Sequence, residues 1–175
     1  GEGLLRFNLY RQHKDIPLSD ALPMMENMGL RVISEHPHRV ETDGTPAYIQ
    51  DFEVETSIAG LDVARASADY SEAFARLWHG DAENDGFNKL ILGAGLDWRQ
   101  VSVLRGYGKY LQQVGVPFSQ NYVEDTFTRY PLLARLLIEA FQARFDPAAG
   151  NEDKAEAKAA SELLGQQLAA LAGGI

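Results

Sequence analysis

Apolar residues recur with two different periods along the chain. Near the start, Leu5, Phe7 and Leu9 alternate with polar residues, which is the period of a half-buried β-strand. From Leu61 onwards, apolar residues recur every three or four positions, which is the period of an amphipathic helix. The pattern therefore predicts a mixed α+β part followed by an all-α part. The predicted domains are 1–80 and 81–175.

The first part follows the order strand, helix, strand, strand, helix. Ser19 or Asp20 is the predicted N-cap of the first helix. The second strand is predicted at 30–42, interrupted near Pro37, and a turn joins it to a third strand at 48–55. This is most of the βαββαβ order of a ferredoxin-like module, without a fourth strand. The second helix places on one face Val63, Ala66, Tyr70, Phe74 and Leu77.

The densest apolar run lies between residues 97 and 147 and predicts three helices with sharp ends. Asp97 and Ser119 are the predicted N-caps of the first two, and Pro131 fits the first turn of the third. Inward-facing positions are predicted at Val101, Leu104, Gly108, Leu111, Tyr122, Val123, Phe127, Leu133, Leu137, Phe141 and Phe145. The remaining predicted elements are a linker at 148–151 and a final helix at 152–171.

Charge and composition exclude several classes of function. Lys and Arg number 16 against 25 Asp and Glu, a formal net charge of −9, so neither nucleic acid nor an anionic membrane is an expected partner. No apolar run reaches the roughly 20 residues of a membrane span. No signal peptide is visible, which favours the cytoplasm, and the start at Gly1 without Met suggests an excised piece. The absence of cysteine excludes disulfides and thiolate chemistry.

Two short motifs are candidates for ligand binding. Gly93 and Gly95 match part of a dinucleotide-binding fingerprint, but Trp98 occupies the position of its third glycine. A turn between helices is predicted there, with a phosphate loop as the alternative. His36 and His38 share a strand face, so we predict a solvated hairpin corner, with a metal site as the alternative. No residue is predicted to be catalytic, to bind a cofactor or to ligate a metal.

A third candidate is the helix that follows Asp97. Arg105 and Lys109 lie one turn apart on it, close to Gln112. A solvated face is the simple interpretation, and a docking face for a neighbouring domain is the alternative. Gly106 and Gly108 each cost this helix roughly 1 kcal/mol relative to Ala. Either a close approach by another helix or a locally weak helix would explain them.

Four stretches of the sequence carry a resemblance to a known family. They are LPMMENMGLRVISEHPHRV, AYIQDFEVE, NKLILGAGLDWRQVSVLRGYGKYLQQ and PFSQNYVEDTFTRYPLLARLLIEAFQARFDP. The chain resembles the segment upstream of the catalytic domain in the large NAD-specific glutamate dehydrogenases of bacteria. The resemblance implies an ACT-like βαββα module followed by a helical module. It also implies a homo-oligomeric parent enzyme that deaminates L-glutamate oxidatively with NAD, and a catalytic domain elsewhere in the same subunit as the partner.

The resemblance leaves two roles open. The first is a non-catalytic segment that supports, connects or assembles the catalytic domain. The second is an amino-acid sensor, because ACT modules bind amino acids at the loop after the first strand, although this loop lacks the glycine that exposes backbone N–H groups to a ligand. A self-standing enzyme is disfavoured, because neither a Rossmann pattern nor a lysine-bearing glutamate pocket occurs. The candidate effector residues are Arg11, His13, Asp15, Ser19 and Asp20.

Overall fold

The computed structural model describes residues 4–42, 44–58 and 60–145, together with 155, 158–159, 161–163, 165–166 and 170. The residues of this last group are helical. The predicted linker at 148–151 and most of the predicted final helix at 152–171 lie outside the described residues.

The elements follow the predicted order. The mixed part consists of β1 (Leu5–Gln12), α1 (Leu18–Asn27), β2 (Arg31–Thr42), β3 (Thr45–Glu55) and α2 (Val63–His79). The helical part begins with a 3-10 helix (Gly86–Lys89) and continues with α3 (Leu90–Gly93), α4 (Trp98–Gln113), α5 (Gln120–Arg129) and α6 (Pro131–Phe145). The predicted α+β class, with an ACT-like βαββα start, is confirmed.

The three strands form one antiparallel sheet in the order β1-β3-β2. Phe7 lies opposite Phe52, and its ring contacts those of Tyr70 and Phe74 edge-on, at centroid distances of 5.3 and 5.1 Å. The face of the sheet that carries Phe7 and Phe52 therefore packs against α2. In the part of the chain that the structure describes, β1 and β2 are the two edges and no fourth strand is present.

The predicted interruption of the second strand at Pro37 is wrong. β2 runs through Pro37, which lies opposite Gln50, and the irregularity in register falls instead between Val32 and Ser34. Because β2 is an edge strand, the missing N–H of a proline can face outward without removing a hydrogen bond of the sheet. The prediction failed because an edge position depends on strand order, which the local sequence does not encode.

Helix caps were predicted with mixed success. Asp97 forms a capping box with Gln100, and the Ser119 side chain accepts from the Tyr122 N–H, so both predicted caps are confirmed. The N-cap of α1 is Pro17, without a side-chain hydrogen bond, while Ser19 and Asp20 lie inside the helix. The predicted cap of α1 is therefore wrong.

The two predicted domains share one core. A single cluster of buried side chains joins Met25, Phe52 and Phe74 of the mixed part to Phe87 and Leu104 of the helical part. Burial of this shared apolar surface stabilises both parts together. The boundary near residue 80 stays a prediction.

Three residues predicted to face inward are exposed. Leu111, Tyr122 and Phe145 expose between 39% and 57% of their surface. The buried residues of α4 end at Gly108 and those of α6 end at Ile138, so the C-terminal parts of both helices extend past the core. Apolar spacing continues along these helices beyond the core, where the ring of Phe141 contacts those of Tyr107 and Phe145 and leaves both of them exposed.

The two glycines of α4 lead to a stability prediction. A Cβ on Gly106 would meet nothing within 4 Å, whereas one on Gly108 would lie 3.1 Å from Cζ of the buried Phe87. We expect Gly106→Ala to raise the free energy of unfolding by about 0.5–1 kcal/mol, because alanine favours the helix. The free energy of unfolding of Gly108→Ala should be lower than that of Gly106→Ala by about 1 kcal/mol or more, because the added methyl group forces Phe87 to shift. Urea unfolding of the chain measures both, and equal gains would contradict the close approach at Gly108.

Candidate functional site

The predicted effector loop is held by its own hydrogen bonds. Nη1 of Arg11 donates to the backbone oxygen of Asp15 at 3.1 Å, and its guanidinium lies 5.5 Å from the ring centroid of Trp78. His13 has a φ of 67°, and its backbone N–H donates to the oxygen of Pro46 at 2.9 Å. Arg11 therefore fixes the loop and packs against α2.

A cavity of about 290 Å³ lies beside this loop. Asp15 lines it, together with Arg39 of β2 and Gln50 of β3. Gln50 is buried; its Nε2 donates to the oxygen of Ile16 at 2.8 Å, while its Oε1 has no partner among the described residues. Of the five candidate effector residues, only Asp15 lines the cavity.

The remaining effector candidates form a separate pair. Oγ of Ser19 donates to Oδ1 of Asp20 at 3.4 Å, and both residues are exposed in the first turn of α1. The structure thus joins Arg11 with Asp15 and Ser19 with Asp20, but does not gather all five around one site.

The two candidate ligand-binding motifs lie in a turn between helices and on a β-strand. Gly93 ends α3 and Gly95 has a φ of 64° just before the cap of α4, so a turn between helices is present, as predicted. His36 and His38 are exposed within β2, opposite Asp51 and Ile49 of β3 and away from the turn that joins the two strands, so the predicted hairpin corner is wrong. Within the described ranges, no group of three metal-ligating side chains is assembled. In the same part of the chain, no helix is long and apolar enough to cross a membrane.

Arg105 is not on a solvated face, contrary to the simple interpretation, and is not available on a docking face either. It is 4% exposed. Its Nε and Nη2 donate to the two carboxylate oxygens of Asp85 at 2.6 and 2.9 Å, and Nη2 also donates to Oδ1 of Asn88 and to the oxygen of Glu83. A bidentate ion pair of this kind offsets the high desolvation cost of burying both charges.

This network was missed although the sequence contained a signal for it. Arg105 follows Val101 by four residues and precedes Gly108 by three, so its spacing places it on the buried face of α4. Its partner Asp85 lies 20 residues earlier, outside any predicted helix or strand. A charged residue in register with apolar positions is thus a signal for a buried pair.

Lys109 and Gln112 remain exposed on α4. Nζ of Lys109 donates to Oε2 of Glu83 at 2.7 Å. This hydrogen bond lowers the pKa of Glu83, against a smaller opposing effect of desolvation. Because the folded pKa is lowered, the stabilisation is present at neutral pH and is lost as the pH falls through it; screening at this exposed site keeps it small.

An exposed apolar stripe runs along the second half of α4, where the Tyr107 ring also contacts that of Phe141 of α6 at a centroid distance of 6.0 Å. Tyr107, Tyr110, Leu111 and Val114 follow each other at helical spacing and expose between 39% and 58% of their surface. We call these four residues the α4 stripe. A contiguous apolar surface of this kind marks an interaction site more often than a scattered one does.

Comparison with known families gives two matches that follow one another along the chain. Residues 1–67 match a model described as "Glutamate dehydrogenase, ACT3 domain". Residues 82–147 match a model described as "Glutamate dehydrogenase, helical motif 3". Together the two models cover the sheet, α1, the first turn of α2 and the helical part from the 3-10 helix to α6.

Curated relatives agree with these matches. NAD-specific glutamate dehydrogenase from Halomonas elongata is 45% identical over 150 residues, which are 85% of this chain. The enzymes of that name from Mycobacterium tuberculosis and Pseudomonas aeruginosa are 35% and 40% identical over 97% and 83% of the chain. The matched region spans only 9–11% of the length of these three relatives.

The buried pair leads to a second stability prediction. Arg105→Met leaves Asp85 buried without its cation, so we expect a loss of about 3–5 kcal/mol of unfolding free energy. Lys109→Met is the matched control, since it removes the same charge one turn away from an exposed pair, and it should cost less than about 1 kcal/mol. Chemical unfolding of the two variants compares them directly. Similar losses in both would contradict the assigned role of Arg105.

Proposed function

The chain belongs to the large NAD-specific glutamate dehydrogenases, as the segment of their ACT3 domain and helical motif 3, and we propose that it serves such a subunit as a non-catalytic structural element. The observation that carries this proposal is the α4 stripe. These four apolar side chains at helical spacing are 39–58% exposed, so covering the rest of their surface would contribute about 0.5–1.5 kcal/mol for each side chain.

The occupant that we propose for the stripe is the remainder of the same subunit. The curated relatives are about ten times longer than the region they share with this chain. A tethered neighbour has a high effective concentration, so even a modest apolar surface would be covered. Lys109 and Gln112, the exposed members of the predicted docking face, lie on the same half of α4 and would border the contact.

The use of the polar side chains supports a structural role. Among the described residues, Arg105 is the most deeply buried charged side chain, and it donates hydrogen bonds to Asp85, Asn88 and Glu83. Its hydrogen bonds join α4 to the segment before it and occupy Nε and Nη2, while Nη1 donates to Oγ of Ser102 at 3.5 Å. Stability is therefore the role that its contacts favour.

The parent reaction is part of the proposal. The relatives are named NAD-specific glutamate dehydrogenases. We propose that the parent of this chain likewise deaminates L-glutamate with NAD, giving 2-oxoglutarate and ammonia, in a cytoplasmic homo-oligomer. In this proposal the NAD site and the catalytic residues belong to the catalytic domain and not to this segment.

The sensor remains a second candidate because of the cavity beside the effector loop. Arg39 lines it and could pair with a ligand carboxylate, and Oε1 of Gln50 is an acceptor in need of a donor such as an ammonium group. An α-amino acid carries both groups.

Cysteine labelling tests the structural role. The chain contains no cysteine, so Leu111→Cys adds one thiol to it, and Ala75→Cys provides a control on the exposed side of α2. We expect a maleimide to label both variants rapidly in the chain alone. In the full-length subunit, labelling at position 111 should slow at least about tenfold relative to position 75, because the stripe is covered. Peptide mass spectrometry reads both sites, and equal rates in the subunit would contradict the proposal.

Thermal unfolding in the presence of amino acids separates the two roles. A ligand at 100 times its Kd would add about 2.7 kcal/mol to the stability of the chain. For a purely structural segment we expect no change in Tm with glutamate, aspartate or arginine. A shift that Arg39→Gln abolishes, and that the control Arg31→Gln on the same strand retains, would establish the sensor instead.

A further inference from the structure

The outer edge of β1 presents unpaired backbone groups. In an antiparallel pair, hydrogen-bonded and non-hydrogen-bonded positions alternate. The His13 N–H donates to the oxygen of Pro46, so the backbone N–H and C=O groups at the odd-numbered positions of β1 point towards β3. The N–H and C=O groups of Arg6, Asn8 and Tyr10 therefore point away from β3. Within the described part of the chain, no strand lies on that side.

A groove of about 260 Å³ runs beside this edge, between β1 and α2. Its apolar lining comes from Leu5 and Phe7 of β1 and from Val63 and Ala66 of α2. Ser67 lies on the α2 side. The groove thus combines a row of backbone donors and acceptors with an apolar lining, which are the two features of a strand-addition site.

Tyr70 provides an independent indication of a ligand. Its side chain lines the groove and is only 4% exposed, yet its hydroxyl has no hydrogen-bond partner among the described residues. Burial raises the pKa of Tyr70, so the hydroxyl keeps its proton and remains a donor. A buried hydroxyl normally finds a partner, and a peptide carbonyl lying in the groove would supply one.

We propose that this groove binds an extended peptide segment, which adds as a strand to the free edge of β1. The backbone of the segment pairs with Arg6, Asn8 and Tyr10, its alternate apolar side chains enter the groove, and one of its carbonyls accepts from the Tyr70 hydroxyl. This strand occupies the side of β1 where the βαββαβ order places the fourth strand that the described chain lacks.

The occupant is a segment of the same subunit outside this chain, an assignment that rests on the proposed function. The matched relatives are about ten times longer than the region shared with this chain, so most of the subunit is available to supply a strand. A second copy of the chain is disfavoured, since each copy carries a formal net charge of −9 and like charges repel. A tethered segment has no comparable cost.

Photo-crosslinking in the full-length subunit identifies the occupant. Ser67→benzoylphenylalanine places the probe in the groove, and Asp69→benzoylphenylalanine places it on the same helix at a residue that does not line the groove. A mixture of ¹⁴N- and ¹⁵N-labelled subunits distinguishes the source. We expect position 67, and not position 69, to crosslink to one peptide outside this chain that carries the same isotope. Crosslinks to the opposite isotope, or none above the Asp69 control, would overturn the proposal.

Hydrogen exchange tests the role of Tyr70. In the wild-type subunit, the Asn8 amide should exchange within about tenfold of the Phe7 amide, which pairs with β3. Tyr70→Phe should accelerate Asn8 at least about tenfold relative to Phe7, whereas the control Tyr122→Phe on exposed α5 should not. If the exchange of Asn8 relative to Phe7 were the same in both variants, the proposed hydrogen bond from the Tyr70 hydroxyl would be wrong. Cysteine labelling at Leu111 tests the structural role through another surface, so the two proposals fail separately.

Discussion

The buried ion pair between Arg105 and Asp85 determines how the helical part of the chain is joined together. Asp85 accepts hydrogen bonds from the guanidinium of Arg105 and from the N–H of Phe87, so one carboxylate caps the 3-10 helix and anchors α4. Its second oxygen also accepts from Nε2 of Gln120 at the start of α5. Because Phe87 belongs to the core shared with the sheet, this carboxylate positions the helices against the ACT-like part.

The Arg105–Asp85 pair is satisfied within the chain, whereas two surfaces of the described residues are not covered. The α4 stripe offers apolar side chains, and the edge of β1 offers backbone groups beside a groove with an orphaned hydroxyl. Both would be covered by neighbours of suitable chemistry, the first by an apolar surface and the second by an extended strand. A segment that occupies about a tenth of a long subunit has such neighbours available. The role proposed for this chain is therefore one of packing within the subunit.

Sequence periodicity was sufficient to predict the element order and two of the helix caps, because alternation and capping depend on residues close together in the chain. It failed where the answer depends on distant residues. Pro37 lies in an unbroken strand because β2 is an edge strand. Arg105 is buried because it pairs with Asp85, which lies 20 residues earlier in the chain. Leu111 and Tyr122 have the spacing of core residues, and in sequence an apolar face that awaits a partner looks the same as one that faces a core.

The candidate site shows the same division. The effector role of the loop residues stays a prediction, and their separation into pairs, with a cavity that only Asp15 of the five lines, follows from the tertiary fold. The central claim is that the α4 stripe and the β1 edge are internal surfaces of a larger subunit. A cryo-electron microscopy structure of the full-length subunit tests it most directly. The account predicts that residues from elsewhere in that subunit cover Leu111 and that a strand pairs with Asn8; solvent at both surfaces would contradict it.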